Sequence, residues 1–180
     1  MYSTLQRLNH ISSLATTYVM ILLGFISIAS FLSLPSVDVG NVEVKDLIIQ
    51  KGRLRRWGAR QEELASLKFD IRTDLNPLLN SYNTKQLFVY LTASYEEQST
   101  GNSHEVVLWD RIIERADLKD IRAVGNKNKY QWRNPSGTFK DIEYANMTLH
   151  YSLMPYVGVL SSGVAATANG PVTIPPLIKR

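Results

Sequence analysis

The chain has 180 residues, a net charge of +4 and no cysteine. The lack of cysteine excludes disulfide support, thiolate catalysis and cysteine-ligated metals. A positive charge this small and this scattered leaves no electrostatic footprint for nucleic acid, so no nucleic-acid partner is expected.

The first ten residues contain Arg7 and no acid. Residues 11–34 follow, 24 positions without a charged side chain, ending just before Pro35. As a helix this run would reach ~36 Å at ~1.5 Å per residue, enough to cross a hydrocarbon core ~30 Å thick with some tilt. A soluble helix of that length would need a charged face, and this one has none. A cleaved signal peptide is the competing reading, since Ser27-Ile28-Ala29 has the small-x-small form of a cleavage site. Such peptides have apolar cores of only ~7–15 residues. Here the apolar run is longer and continues through Phe31 and Leu34, which favours an uncleaved anchor. Asp38, Glu43 and Asp46 come soon after the span. The positive-inside rule therefore predicts a cytosolic tail at 1–10, a transmembrane signal anchor at 11–34 and a non-cytosolic domain at 35–180. Within the span, Ser13, Thr17, Gly24 and Ser27 line up through Met20 as a small, mildly polar stripe. Two readings stand level: the stripe admits a second helix, or its hydroxyls bond back to their own backbone.

About 145 residues beyond the span suit one domain with a real core. Its sequence alternates with period two. Val37 and Val39, then Val42 and Val44, keep that spacing across a slip at Gly40-Asn41, where a bulge or turn is expected, and Leu47-Ile48-Ile49 continues the strand. The run Arg53-Leu54-Arg55-Arg56-Trp57, with Arg60, is the sharpest charge cluster. It reads as membrane-surface docking or as a solvated loop between strands ending near Gln50 and starting near Leu67. The loop is favoured, because anionic-lipid attraction belongs mainly to the cytoplasmic leaflet. Leu67, Phe69 and Ile71 alternate with Lys68, Asp70 and Arg72, as in an edge or one-sided strand. Residues 86–95 are apolar on both faces, like a central strand, and residues 105–113 form another. Met147, Leu149, Tyr151 and Leu153 alternate with Asn146, Thr148, His150 and Ser152. Turns are expected at 76–77, 99–102, 134–137 and 169–171, and short helices at 75–79 and 116–122. Val172-Thr-Ile-Pro175-Pro176 reads as an extended terminal segment that lies across a partner or frays. The fold class predicted is all-β: an antiparallel β-sandwich on one N-terminal transmembrane helix.

Candidate chemistry is sparse. Asn146-Met147-Thr148 is the one intact N-x-[ST] sequon, since Pro135 spoils Asn134-Pro135-Ser136. Alternation turns Asn146 outward, and the topology exposes it to a glycosylating compartment, so a glycan is expected there. His10 precedes the span, His104 falls in a polar turn and His150 on a polar strand face; none has a local nucleophile or metal-ligand spacing. The acidic pairs Glu62-Glu63 and Glu96-Glu97 are adjacent, so on strands they point apart. A triad assembled from distant segments is not excluded by spacing alone. No catalytic, cofactor or metal residue is assigned.

The blocks Leu67-Lys-Phe-Asp-Ile-Arg-Thr-Asp-Leu75, Lys85-Gln-Leu-Phe-Val-Tyr-Leu-Thr-Ala-Ser-Tyr95 and Glu105-Val-Val-Leu-Trp-Asp110 resemble subunit 3, the glycoprotein subunit of the eukaryotic signal peptidase complex. So do Arg7-x-Asn9 before a single span, the sequon at Asn146 with Pro155 beyond it, and Pro171-Val-Thr-Ile-Pro175. The basic segment 53–60 and the loop 96–104 depart from that pattern. The resemblance implies a non-catalytic subunit of the endoplasmic reticulum membrane, single-pass type II, with a luminal β-sandwich. It also implies that the chain supports signal-peptide cleavage by stabilising and positioning the catalytic serine-protease subunit. Implied partners are that subunit, the small membrane subunits, the lipid bilayer, the translocon and nascent preproteins. Two other classes stay open: a secreted or tethered β-sandwich binding module beginning near Ser30, and an enzyme using His104 or His150.

Overall fold

The structure, a computed structural model, describes residues 3–53, 61–115 and 123–177. Its first element is helix α1, Thr4–Leu32. The Gln6 side chain accepts the Ser3 backbone N–H at 3.3 Å, one half of a capping box. The helix therefore starts seven residues before the uncharged run, in the polar tail. It stops at the Ser33 cap, whose N–H donates to Ala29 O at 3.0 Å. Pro35 disfavours helical backbone at Leu34, which explains that end. Thr16 and Thr17 hydroxyls donate to the Ser12 and Ser13 carbonyls, both at 2.9 Å, so these two hydroxyls turn back on their own helix.

Beyond it, the described residues form strands and one short α-helix joined by turns. Along the chain lie β1 (Gly40–Arg53), β2 (Gln61–Arg72), α2 (Asn76–Leu79), β3 (Thr84–Glu97), β4 (Asn102–Glu114), β5 (Ala123–Lys127), β6 (Tyr144–Pro155), β7 (Ser161–Ala168) and β8 (Val172–Thr173). All eight strands belong to one sheet in the order β4-β3-β6-β7-β1-β2-β5, with β8 beside the start of β6. The all-β class and the single apolar helix agree with the sequence reading. The expected pair of antiparallel layers takes another form: one continuous sheet curls on itself, and β1 and β7 pair in parallel.

The curl is closed by the segment after β5. Asn128 N–H donates to Leu67 O at 3.0 Å, and Leu67 N–H donates to Asn128 Oδ1 at 2.9 Å. One residue on, Lys129 and Tyr130 N–H both reach the carbonyl of Leu108 in β4, at 2.8 and 3.0 Å. The two ends of the strand order are thereby stitched together, and Phe69 of β2 meets Trp109 of β4 edge-on at 5.9 Å. Leu108 offers its carbonyl because it is a bulge: Leu91 pairs with Trp109 and Thr92 with Val107. Its side chain is buried, and that of Trp109 beside it is half-buried and packs against the core. Among the described residues the fully buried indole is Trp132, edge-on to Phe139 at 5.6 Å and near Tyr95 at 5.9 Å.

Several expectations change at the first hairpin. The bulge in β1 is at Lys45, between Val44 and Asp46, rather than at Gly40-Asn41. It points Lys45 at buried Asp70, which also accepts the Gly125 N–H at 2.6 Å. The Lys45 ammonium, and then that N–H, hold the Asp70 carboxyl below the ordinary aspartate range. β2 begins at Gln61, well before Leu67, and is flanked by β1 and β5. Of the two readings it is therefore the one-sided strand rather than an edge, with Leu67, Phe69 and Ile71 buried and Lys68 and Arg72 exposed. Most of the basic segment and the helix expected at 116–122 lie outside the described residues. Val172 to Leu177 do not fray: β8 pairs with Tyr144 and Ala145, Ile174 N–H donates to Glu143 O at 3.0 Å, and Ile174 and Leu177 pack on the core.

Candidate functional site

The helix and the domain meet at one junction, and Asn83 organises it. Its amide donates to Ser30 Oγ of α1 at 2.9 Å and to Val157 O at 2.6 Å. Its Oδ1 accepts Val157 N–H at 3.1 Å, and its own carbonyl accepts Tyr156 N–H at 2.8 Å. One residue ties the turn before β3, the loop after β6 and the end of the anchor. Next to it, Gly158 lies against Ser27: a methyl group there would be 2.9 Å from Ser27 Oγ. Gly158 also has φ of 124°, a backbone conformation that disfavours any side chain. Ser27, Ser30, Phe31 and Leu34 pack against Leu153, Pro155, Val157, Val159 and Ser161 and leave a cleft of about 10 Å³, no larger than a single water. Of the small polar stripe, then, Ser27 faces the chain's own domain, while Thr17 returns its hydroxyl to Ser13.

At the opposite end of β3 the acidic pair Glu96-Glu97 divides as strand alternation requires, Glu96 exposed and Glu97 buried. Glu97 accepts the Thr100 hydroxyl at 2.7 Å and the Asn134 amide at 3.0 Å. Hydrogen bonds from Thr100, Ser136 and Asn134 hold its carboxyl below the ordinary glutamate range. Asn134 is buried, donates onward to Ser136 Oγ and Thr138 O, and accepts the Tyr95 hydroxyl at 3.3 Å. Burial pushes the Tyr95 phenol up. Glu63 is buried likewise, and its carboxylate accepts the Phe139 N–H at 2.7 Å. These acids are occupied by fixed donors of the fold, which suits tying turns together. Asn134 was passed over in the sequence because its sequon is spoiled; the polar Asn-Pro-Ser-Gly turn was its only signal.

The sequon is on the outer face of β6. Asn146 is exposed and pairs across to Ser94 on β3. It borders an open groove of about 560 Å³ with Glu96, Gln98, Ser103 and Tyr144. His104 and His150 are not brought together: they pair with Tyr95 and Tyr90 of β3, which occupy opposite faces of that strand. His150 stacks on Tyr90 at 5.3 Å and lies 3.9 Å from Glu105, while His104 is 5.5 Å from the Tyr95 ring. Among the described residues no cluster of three or more His, Asp or Glu could hold a metal. The outer face of β3 carries instead a stacked ladder, Phe88, Tyr90 and His150, flanked by exposed Ile112, Val107 and Val164 on the neighbouring strands.

An all-β domain on an N-terminal helix, long and apolar enough to cross a membrane, defines a membrane-anchored β domain. A family model described as Signal peptidase subunit matches residues 1–176, and the chain belongs to that family. A relative from Yarrowia lipolytica is 28% identical over 99% of this chain and 100% of its own. One from Saccharomyces cerevisiae is 34% identical over 91% of each, and one from Homo sapiens 33% identical over 64% of this chain and 61% of its own. All three carry the name Signal peptidase complex subunit 3. A chain of the archaeal flagellum of Methanospirillum hungatei aligns over 96% of this chain and 100% of its own at 14% identity, with a TM-score of 0.22, too slight to bear on the fold.

Proposed function

We propose that this chain is a non-catalytic subunit of the signal peptidase complex in the endoplasmic reticulum membrane. Residues 1–10 are cytosolic, residues 11–34 form the anchor and residues 35–180 are luminal. The chain supports signal-peptide cleavage by stabilising and positioning the catalytic serine-protease subunit, alongside the small membrane subunits, the translocon and nascent preproteins. The observation that carries this reading is the family match over residues 1–176. The charge asymmetry about α1 supports the orientation: Arg7 before it, Asp38, Glu43 and Asp46 after it. The junction supports an uncleaved helix, because cleavage near Ser30 would discard Ser27 and break contacts that the domain has built against it. The uncovered aromatic face of β3 supports a protein partner: stacked rings beside exposed Ile112, Val107 and Val164 form the kind of surface that a complex buries. Positioning alone can contribute strongly to rate when it holds reacting groups in a productive geometry.

Depleting the chain from cells is expected to leave preproteins with their signals attached and to lower the level of the catalytic subunit. Re-expression with His104→Ala should restore cleavage, and so should His150→Phe, which removes the imidazole and keeps a ring in the stack, whereas Tyr90→Asp with Ile112→Asp should fold and fail to co-purify with the catalytic subunit. Loss of cleavage in an assembled complex carrying either histidine change would overturn the non-catalytic reading. Normal processing after complete depletion would overturn the functional one.

A further inference from the structure

Beyond the anchor, we propose that the loop after β6, Tyr156 to Leu160, is a second membrane contact that dips into the luminal headgroup and acyl boundary beside α1. The inference rests on the reading of α1 as a membrane span. Depth is its first support. Counting ~1.5 Å per residue from Ile11, ~30 Å of hydrocarbon ends near Phe31. Ser27 then lies about 6 Å inside that boundary, and Gly158 is packed against Ser27. The tip of the loop is therefore held at bilayer depth by the helix itself.

Surface chemistry is the second support. Tyr156, Val159 and Leu160 are 65%, 70% and 65% exposed, which in water would leave three large apolar side chains uncovered on five consecutive residues. The turn beside them adds Tyr82, 91% exposed, with the Arg115 guanidinium 5.4 Å over its ring. Tyrosines with an arginine at their edge are the composition of a membrane interface, where the ring is half in hydrocarbon and the cation reaches headgroups. No Asp, Glu, Lys or Arg occurs between Glu143 and Lys179, so the loop itself carries no charge into the boundary.

The backbone is the third. An irregular loop is excluded from lipid chiefly by its unpaired N–H and C=O groups. Here Asn83 satisfies the N–H groups of Tyr156 and Val157 and the carbonyl of Val157. These three backbone groups at the base of the loop turn onto one asparagine, while the side chains of Tyr156, Val159 and Leu160 turn out. A protein groove would also accept those side chains, but the continuity with Ser27 and Ser30 of the anchor points to lipid.

The absence of cysteine makes the test clean. Full-length chain carrying Val159→Cys, labelled with an environment-sensitive nitrobenzoxadiazole dye, is placed in phosphatidylcholine vesicles doped with lipids bearing a nitroxide at the headgroup, the upper acyl chain or the lower acyl chain. Ile21→Cys serves as the span control. Ser99→Cys serves as the distal control, about 45 Å away along β3. Emission from the dye at position 159 is expected to shift to the blue and to lose most of its intensity with the headgroup and upper-chain nitroxides, while the dye at position 99 is unaffected. An aqueous signal at 159 with strong lower-chain quenching at 21 would overturn the proposal and leave the span standing. Aqueous signals at both would overturn the span and the proposal together. A blue shift at 159 that appears only in the purified complex, without quenching by any nitroxide lipid, would make a protein the occupant and overturn the lipid assignment.

Discussion

The two ends of β3 are built for different surroundings. At Thr84 the strand emerges from a junction where one neutral asparagine, two serines and apolar side chains meet the anchor, with no ionised group in the contact. At Glu97 it ends in a buried carboxylate fixed by Thr100 and Asn134. A buried carboxylate needs several donors, and turns facing water can be shaped to provide them. Beside hydrocarbon an unpaired charge would be far costlier, and the junction uses neutral, mutually satisfied groups. The same sheet thus has an end suited to lipid and an end suited to water.

The heaviest blow to the water-facing end is Trp132→Ala. The indole is fully buried between Tyr95 and Phe139, so the change should cost about 3–5 kcal/mol in detergent-solubilised denaturation. Trp109→Ala removes a half-buried ring from the sheet's closing edge and should cost about 1–3 kcal/mol. Equal losses would show that the closure at Leu108 and Lys129 bears as much of the fold as the core does.

At the lipid-facing end the sharpest probe is Gly158→Ala. Its φ of 124° and the 2.9 Å approach to Ser27 Oγ both oppose a side chain. The backbone strain alone is worth about 1–3 kcal/mol. Adding Ser27→Ala should recover only the part due to the hydroxyl. Full recovery, read as restored protease resistance of the loop, would show that crowding rather than backbone conformation makes the glycine necessary.

How much of this was legible in the sequence divides along the same line. The span, β3, β4 and β6 announce themselves through uninterrupted apolarity or period-two alternation, as do Leu67, Phe69 and Ile71 of β2. Strand β7 does not, because Ser161-Ser-Gly-Val-Ala-Ala-Thr-Ala is chosen for closeness: a methyl on Gly163 would come within 2.6 Å of the Tyr151 phenol oxygen. The bulges at Lys45 and Leu108 were hidden because a bulge is set by what the displaced residue reaches, Asp70 in one case and the 129–130 backbone in the other. Trp132 was missed because it is held by a single bridge to Ala65, outside any strand pattern. Asn83 carries no sequence signal at all; its role arises from three segments far apart in the chain. Asn146 alone among candidate site residues was readable by motif, and the structure places its amide where alternation predicted, in the open.

Acid should separate the two ends. Glu97 titrates below the 4.5 of an ordinary glutamate, and Asp70 below the 3.8 of an ordinary aspartate, so in this range the unfolded chain binds more protons than the folded one. Their contribution is complete above those values and is lost as pH falls through the lowered folded ones. Thermal stability of the domain should therefore drop between about pH 4.5 and the lower values, and Glu97→Gln should flatten part of that slope. The contacts around Asn83 contain no titrating group and should hold over the same range, a difference that hydrogen exchange at Tyr156 and Val157 would read. Parallel loss at both ends would mean that they unfold as one unit.

The smallest expected effect concerns Asn146. Its side chain is exposed at the rim of an open groove, on the water-facing half of β6, and it makes no hydrogen bond within the described residues. Exposed substitutions of this kind usually fall within about 0.5 kcal/mol, so Asn146→Gln should leave melting of the unglycosylated chain unchanged. In microsomes the same change should abolish a glycosidase-sensitive shift in gel mobility, and Thr148→Ala should do so as well, because the sequon needs its hydroxyl. Thr148 is half-buried and its carbonyl accepts the Thr92 hydroxyl at 3.2 Å, yet that bond uses backbone and survives the substitution. Loss of the shift in both variants, with unaltered melting, would place this end of the sheet in the glycosylating compartment. An unshifted wild-type chain would instead remove the luminal assignment's most direct test, and protease protection of residues 35–180 in sealed microsomes would then decide the side.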